Sequence, residues 1–449
     1  MAPMVVAHET SGGARYLEAA AALALSWKSA ETVNAGKDFG LYWNDMGSGI
    51  RASKLAYLLQ HGRAARLPQQ DLAALQALAQ QHLDRLGDPA FLGQSNHAFF
   101  QIHGLRALSL AAPELEGAAA AHAYAGKALL ALLKQQFGEE GVHLEHSPGY
   151  HVFALRTLRR MLATGFYEDL PDAFAVLKRA RRLATWLTFP DGMAAAFGDT
   201  DRDARRLTYR PAKRAARLFR EAGYAVVRAP ASAPHGPAVL MVAAGHHSNV
   251  HKHADDLSFE LYDRGRHWIV DTGKYSYSKA DWRAYTDSAR AHNTVEYDPA
   301  SPGNGVRRTP PAGGMLHALR QQGDAWIIEG RVERPVVGAA HARRFTYRPG
   351  ESLLIEDLLT FDDARDAVAW LHLPPDLEAE QTSGGWRFPG GRILYASDVP
   401  LTLIRARGAT EPEIQGWLAE GYHRITPNDA LGARFHGRRI RLSTSLVFD

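Results

Sequence analysis

Two kinds of hydrophobic periodicity divide the chain. From Ala14 to about residue 223, apolar residues recur at helical spacing, as in Leu129, Leu130, Leu132 and Leu133. Gly, Pro and Asp cut this half into candidate helices Ala14–Ala30, Asp45–Gln60, Gln69–Leu86, Ser95–Ala112, Pro113–Phe137, Ser147–Thr164, Asp169–Leu187 and Pro211–Ala222. From Tyr224 the period changes to two. Tyr224–Arg228, Pro237–Ala243, Leu257–Tyr262, His267–Asp271 and Asn293–Tyr297 read as strands. Further short runs follow to the C-terminus, among them Ser352–Thr360 and Ala367–Leu373, separated by turns such as Arg348-Pro349-Gly350. Many short strands without intervening helices imply an antiparallel sandwich. The expected architecture is therefore two-domain: 1–222 all-helical and 223–449 an antiparallel β-sandwich. No fixed short repeat marks a solenoid.

Composition narrows the class. A chain of 449 residues exceeds the size of one hydrophobic core, and 46% apolar with 22% charged residues is ordinary for a globular protein. The formal net charge of +4 suits an anionic partner and calls for no nucleic acid. Absence of cysteine excludes disulfides and thiolate metal sites. The N-terminal stretch lacks the pattern of a signal peptide, and no apolar run is long enough to span a membrane.

The chemistry concentrates between His246 and Val295. His251 and His253 are one residue apart, so on an extended strand both rings would share a face. An alternating strand follows, with Leu257, Phe259 and Leu261 against Ser258, Glu260 and Tyr262. Asp271 and His292 then arrive beside apolar, strand-like residues. Two histidines and one aspartate, His253, His292 and Asp271, form a ligand set that favours zinc over calcium. With 21 histidines in the chain, a hydrogen-bonded His/Asp cluster is the plain alternative.

The spaced elements HxHAD, SFELYDRG, VDTGKYSY, RAY and AHNTV in this stretch resemble the signature region of the heparinase II/III family of polysaccharide lyases. The resemblance implies an N-terminal incomplete (α/α) toroid followed by the β-sandwich, with His251 catalytic and His253 a metal ligand. Three helical segments extend it: YWNDMGSGIRASKLAYLL (42–59), SNHAFFQIHGLRALSL (95–110) and EEGVHLEHSPGYHVFALRTLRRM (139–161). By that likeness Asn96 contacts the substrate carboxylate, His97 lines the same site and Tyr150 is catalytic. Trp43, Arg156 and Tyr285 are placed among the substrate-binding residues. Read from the residues alone, Asp45 caps a helix, Trp43 packs in a core, Ser95 caps a helix beginning at Asn96, and Ser147-Pro148 is a sound helix start. Asp199 and Asp201 either line the cleft or brace it.

These residue types suit β-elimination. The proton at C5 of a uronic acid becomes removable when its carboxylate is neutralised or hydrogen-bonded, and Tyr and His can serve as base and acid. The expected substrate is an anionic, uronate-containing polysaccharide and the expected site lies between the domains; the resemblance implies the periplasm or exterior, with the cytoplasm as the alternative. A glycoside hydrolase would need a facing carboxylate pair. A binding protein of capsule assembly would not need Tyr150 and His251 together, and a zinc hydrolase would need a metal-bound water.

Overall fold

The structure, a computed structural model, describes residues 1–34, 39–202, 215–278, 280–297 and 315–449. The chain folds as two compact units: Met1–Gln136 with Ala154–Lys178, and Phe137–Phe153 with Arg179–Asp449. Among the described residues, no helix is long and apolar enough to cross a membrane.

The first unit is an incomplete (α/α) toroid of consecutive helices, among them Asp45–Ala64, Gln69–Gly87, Ala98–Ala111 and Ala118–Gln136. In Gln69–Gly87 the buried positions are Leu72, Leu75, Leu78, Ala79, His82, Leu83 and Leu86, the stripe that a 3.6-residue period places on one face. A further helix, Ala2–Ser11, precedes those expected. The helices Asp45–Ala64 and Ala98–Ala111 touch along their backbones at two glycines. A Cβ on Gly49 would lie 2.2 Å from the carbonyl oxygen of Phe100, and one on Gly104 would lie 2.3 Å from that of Gly49. Contacts advance together along both helices, so they run in the same direction.

The second unit holds two main antiparallel sheets. The smaller has five strands in sequence order: Ala216–Phe219, Tyr224–Ala229, Ala238–Ala243, Ser258–Asp263 and Arg266–Ile269. The larger is built around Ser352–His372 and Asp429–Phe448, which pair along nearly their full length. Val227, Leu240, Phe259 and Leu261 of the small sheet pack with Phe345, Leu353 and Ile355 of the large one, which is the sandwich core. The opposite face of the small sheet, with Val226, Val239, Met241 and Tyr262, is covered by Leu183, Trp186, Leu187, Phe189 and Phe197. The alternation expected for 257–262 is present, but both faces are buried. Residues 137–153, 179–202 and 215–222 therefore fold with the sheets, although they precede residue 223.

Two sequence readings are corrected. The candidate helix Pro211–Ala222 is a strand over Ala216–Phe219, because Ala216 to Phe219 pair in register with Val227 to Tyr224; residues 211–214 lie outside the described residues. The runs Ser352–Thr360 and Ala367–Leu373 belong to one strand, Ser352–His372. Its register shifts between Thr360 and Arg365, where the charged run Asp362-Asp363 sits exposed.

Candidate active site

Three side chains of the second unit converge on one carboxylate, Asp199. His251 Nδ1 lies 2.8 Å from its Oδ2, and His253 Nε2 lies 2.9 Å from its Oδ1. Arg283 donates to the same Oδ1. Burial opposes the charge on Asp199, but hydrogen bonds from His251, His253 and Arg283 hold its carboxyl far below the usual carboxylate range. The two rings meet one carboxylate without sharing a strand face. His251 adopts φ 55, a left-handed turn conformation, so the expectation of an extended His251-Lys252-His253 segment is wrong. Lys252 is buried and pairs with Asp255 and Asp256, and Arg334 pairs with Asp256, which fastens the loop from below. Gly198 closes the approach: at φ 54, a Cβ there would lie 2.5 Å from the carbonyl oxygen of His251 and 2.7 Å from that of His146. A strained histidine held by surrounding structure is a common feature of active sites.

Tyr150 stacks on the His251 ring, with centroids 3.5 Å apart and planes at 17°. It occupies the first turn of the helix Pro148–Leu162, where its N–H donates to Ser147 Oγ at 3.2 Å, so Ser147 caps as expected. Its hydroxyl is 2.5 Å from that of Tyr277. Lys274 Nζ lies 3.5 Å from the Tyr277 hydroxyl, and the Arg283 guanidinium carbon lies 5.6 Å from the Tyr277 ring centre. Burial pushes both phenols above their ordinary range, and the charge of Asp199 adds to it. Glu145 Oε2 is 3.5 Å from His251 Nε2.

A metal has two places to be tested. Asp199, His253 and Asp287 form a buried group whose ligand atoms all lie within 4.8 Å of one another, and such a group could hold an ion. Arg283 already bridges it, donating to Asp199 and lying 3.0 Å from Asp287 Oδ1. On the other side of His253, its Nδ1 is buried without a hydrogen-bond partner among the described residues, and so is Nε2 of His292. The two rings are 5.2 Å apart. Two orphaned imidazole nitrogens fit a borderline metal. Asp271, expected as the third ligand, instead orients His292: its Oδ2 lies 2.8 Å from His292 Nδ1.

The remaining candidates sit differently from expectation, all of them but Tyr285 in the helical unit. Asn44, not Asp45, caps the helix Asp45–Ala64, its Oδ1 accepting from Gly47 N at 2.9 Å. The Asp45 carboxylate instead faces His97 Nδ1, with both oxygens at 3.1 Å. The helix expected from Asn96 begins at Ala98, so Asn96 and His97 precede it, and His97 rather than Ser95 holds the N-cap position. Asn96 is only 7% exposed. Gln101 ties down its loop, accepting from Gly93 N and donating to Phe91 O, both at 2.8 Å. Arg156 is half-buried on Pro148–Leu162. Trp43 is a core residue, 7% exposed, its Nε1 donating to Glu31 at 3.1 Å and its ring against Trp27 and His82. Tyr285 is likewise buried, 5% exposed, its hydroxyl donating to Trp417 O at 3.0 Å. Trp43 is thus enclosed by packing, whereas Tyr285 lines a cavity of about 630 Å³ together with Trp282 and Arg290. The sequence reading assigned no role to Glu145, Tyr277, Lys274 and Arg283 and left Asp199 undecided; SPGYH and VDTGKYSY already contained or flanked three of them.

Models of the heparinase II/III N-terminus and of the heparinase II/III-like C-terminal domain match residues 1–224 and 211–448. The chain belongs to the heparinase II/III family. A solved heparinase III is similar over 99% of this chain and 75% of its own, at 16% identity and TM-score 0.79. A heparan sulfate lyase from Pedobacter heparinus is similar over 99% and 75%, at 14% identity and TM-score 0.70. A chondroitinase AC lyase is similar over 88% and 67%, at 11% identity and TM-score 0.50. No curated protein matches the chain.

Proposed function

We propose that this member of the heparinase II/III family breaks its polymer through Tyr150 and His251. The protein is a polysaccharide lyase acting on an anionic polysaccharide. The observation that carries the residue assignment is the stack of Tyr150 on a histidine whose Nδ1 faces Asp199. The Asp199 carboxylate only accepts, so Nδ1 carries the proton toward it; Nε2, 3.5 Å from Glu145 Oε2 and so beyond an ordinary hydrogen bond, is the nitrogen assigned as base. His251 Nε2 then takes the C5 proton of a uronate. The electron pair forms the C4–C5 double bond, the C4–O4 bond breaks, and Tyr150, kept protonated by burial, gives its proton to the departing oxygen. Tyr277, hydrogen-bonded to Tyr150, is the path by which that proton returns. Asn96 and His97 are assigned to a uronate carboxylate by the family likeness, since an amide and an imidazole can lower the cost of a developing enolate.

A zinc ion, held by His253 Nδ1 and His292 Nε2 with Asp271 orienting His292, would fix the loop carrying His251. Bound there it supplies a structural anchor. The neighbours named heparinase III, heparan sulfate lyase and chondroitinase AC support a glycosaminoglycan-like uronate polymer as substrate, and a periplasmic or exported enzyme would meet such a polymer. The test is a panel of uronate polymers monitored for near-ultraviolet absorbance. The expected result is an absorbing product from at least one polymer; new reducing ends without absorbance would mean a hydrolase instead.

A further inference from the structure

The motif Trp43-Asn44-Asp45 divides its labour in the structure. Trp43 packs, Asn44 caps, and Asp45 has neither task. Its carboxylate accepts from its neighbour Met46 N at 2.6 Å and faces His97 Nδ1 with both oxygens at 3.1 Å. We infer that Asp45 is a positioning residue for His97: it fixes the proton on Nδ1 and turns Nε2 to the substrate carboxylate. This deepens the lyase reading and rests on it, since it gives His97 its work.

The fold sets the pair from behind. Gly49 and Gly104 let two parallel helices meet backbone to backbone. Asp45 lies one turn before Gly49, and His97 two turns before Gly104. A shift of either helix by one residue would rotate its side chains by about 100° and separate the pair. Gln101 holds the loop ahead of His97 through Gly93 and Phe91. The His97 and Asp45 side chains are 43% and 36% exposed, open enough for a ligand to reach Nε2. An imidazole has two nitrogens of different kinds, and the hydrogen bond on one decides what the other presents. An amide at position 45 can donate to Nδ1 as well as accept from it, so it leaves the tautomer undetermined.

The experiment compares wild type, Asp45→Asn and Asp45→Glu on a polymer that the wild type cleaves, with the ¹⁵N ring signals of His97 identified by their loss in His97→Gln. Partners that orient a functional histidine contribute about 10- to 100-fold. Asp45→Asn should lower kcat by that factor, leave KM little changed and move the His97 ring signals toward a mixed tautomer. Asp45→Glu, which keeps a carboxylate, should recover part of kcat. A wild-type kcat in Asp45→Asn, unmoved His97 signals, or an equal loss in Asp45→Glu would overturn the inference. Absence of elimination by the wild type would count against the lyase reading itself, whereas the ring signals report on Asp45 without any turnover.

Discussion

Replacing Asp199 by Asn tests the centre of the site most severely. The aspartate is 3% exposed and accepts from His251, His253 and Arg283, while its own N–H donates to the carbonyl of His251 at 3.2 Å. An asparagine has one acceptor oxygen for these three donors, and its NH₂ would face at least one of them. An unsatisfied buried donor costs about 1–3 kcal/mol, and breaking a buried ion pair costs about 3–5 kcal/mol. Asp287 stays 3.0 Å from Arg283 and retains part of the second amount. The expected loss is therefore about 3 kcal/mol in the second unit, by these two contributions. Turnover should fall by about 10²–10⁴-fold, since the histidine loses the group that sets its tautomer and orientation. Urea unfolding and initial rates of double-bond formation, measured on the same preparation, give both numbers. A variant with unchanged stability and turnover would refute the claim that Asp199 organises the two histidines.

Three other outcomes follow from particular contacts. Burial and the charge of Arg51 lower His82 to about 3, and both its nitrogens are engaged, with Arg51 Nε and Leu78 O. The unfolded chain takes up a proton near the ordinary value of 6.5, so stability is full above that pH and falls as pH drops toward 3; about 2 kcal/mol should be lost between pH 6.5 and 5, and a denaturant series in which His82→Gln shows the same slope would contradict this. Gly198→Ala should cost more than about 1 kcal/mol at its positive φ and reduce turnover by displacing the His251 carbonyl, so wild-type rates would show that this approach is not needed. Protein purified without added metal should carry about one zinc per chain, lost in His253→Ala and in His292→Ala; metal-free wild-type protein, or metal kept by His292→Ala, would rule out the site.

The features readable from the sequence were local ones. Ser147-Pro148 marked a helix start, and the change of period at Tyr224 marked the strand Tyr224–Ala229, though the sheet already opens at Ala216. Tyr150, His251 and His253 fell in motifs dense enough to single out. What escaped depends on distance along the chain. Asp199 meets His251 and His253 across 52 and 54 residues, and no local pattern reveals that. The Ala- and Arg-rich run before Tyr224 favours helix by propensity, but pairing with Tyr224–Ala229 overrides it at Ala216–Phe219. Spacing alone suggested a strand for His251 and His253, whereas the buried Lys252–Asp255–Asp256–Arg334 network imposes a loop. Trp43 was chosen as an aromatic residue within a motif, and burial separates a packing aromatic from a ligand platform only once the fold is known.

The most direct measurement is near-ultraviolet absorbance from a uronate polymer incubated with wild type and with Tyr150→Phe, alongside affinity electrophoresis of both proteins in that polymer. Tyr150→Phe keeps the ring stacked on His251 and removes only the hydroxyl. The account predicts that double-bond formation falls by about 10²–10⁴-fold, the usual contribution of a general acid, while retention in the polymer is unchanged. Absorbance rising at the wild-type rate in Tyr150→Phe would contradict it.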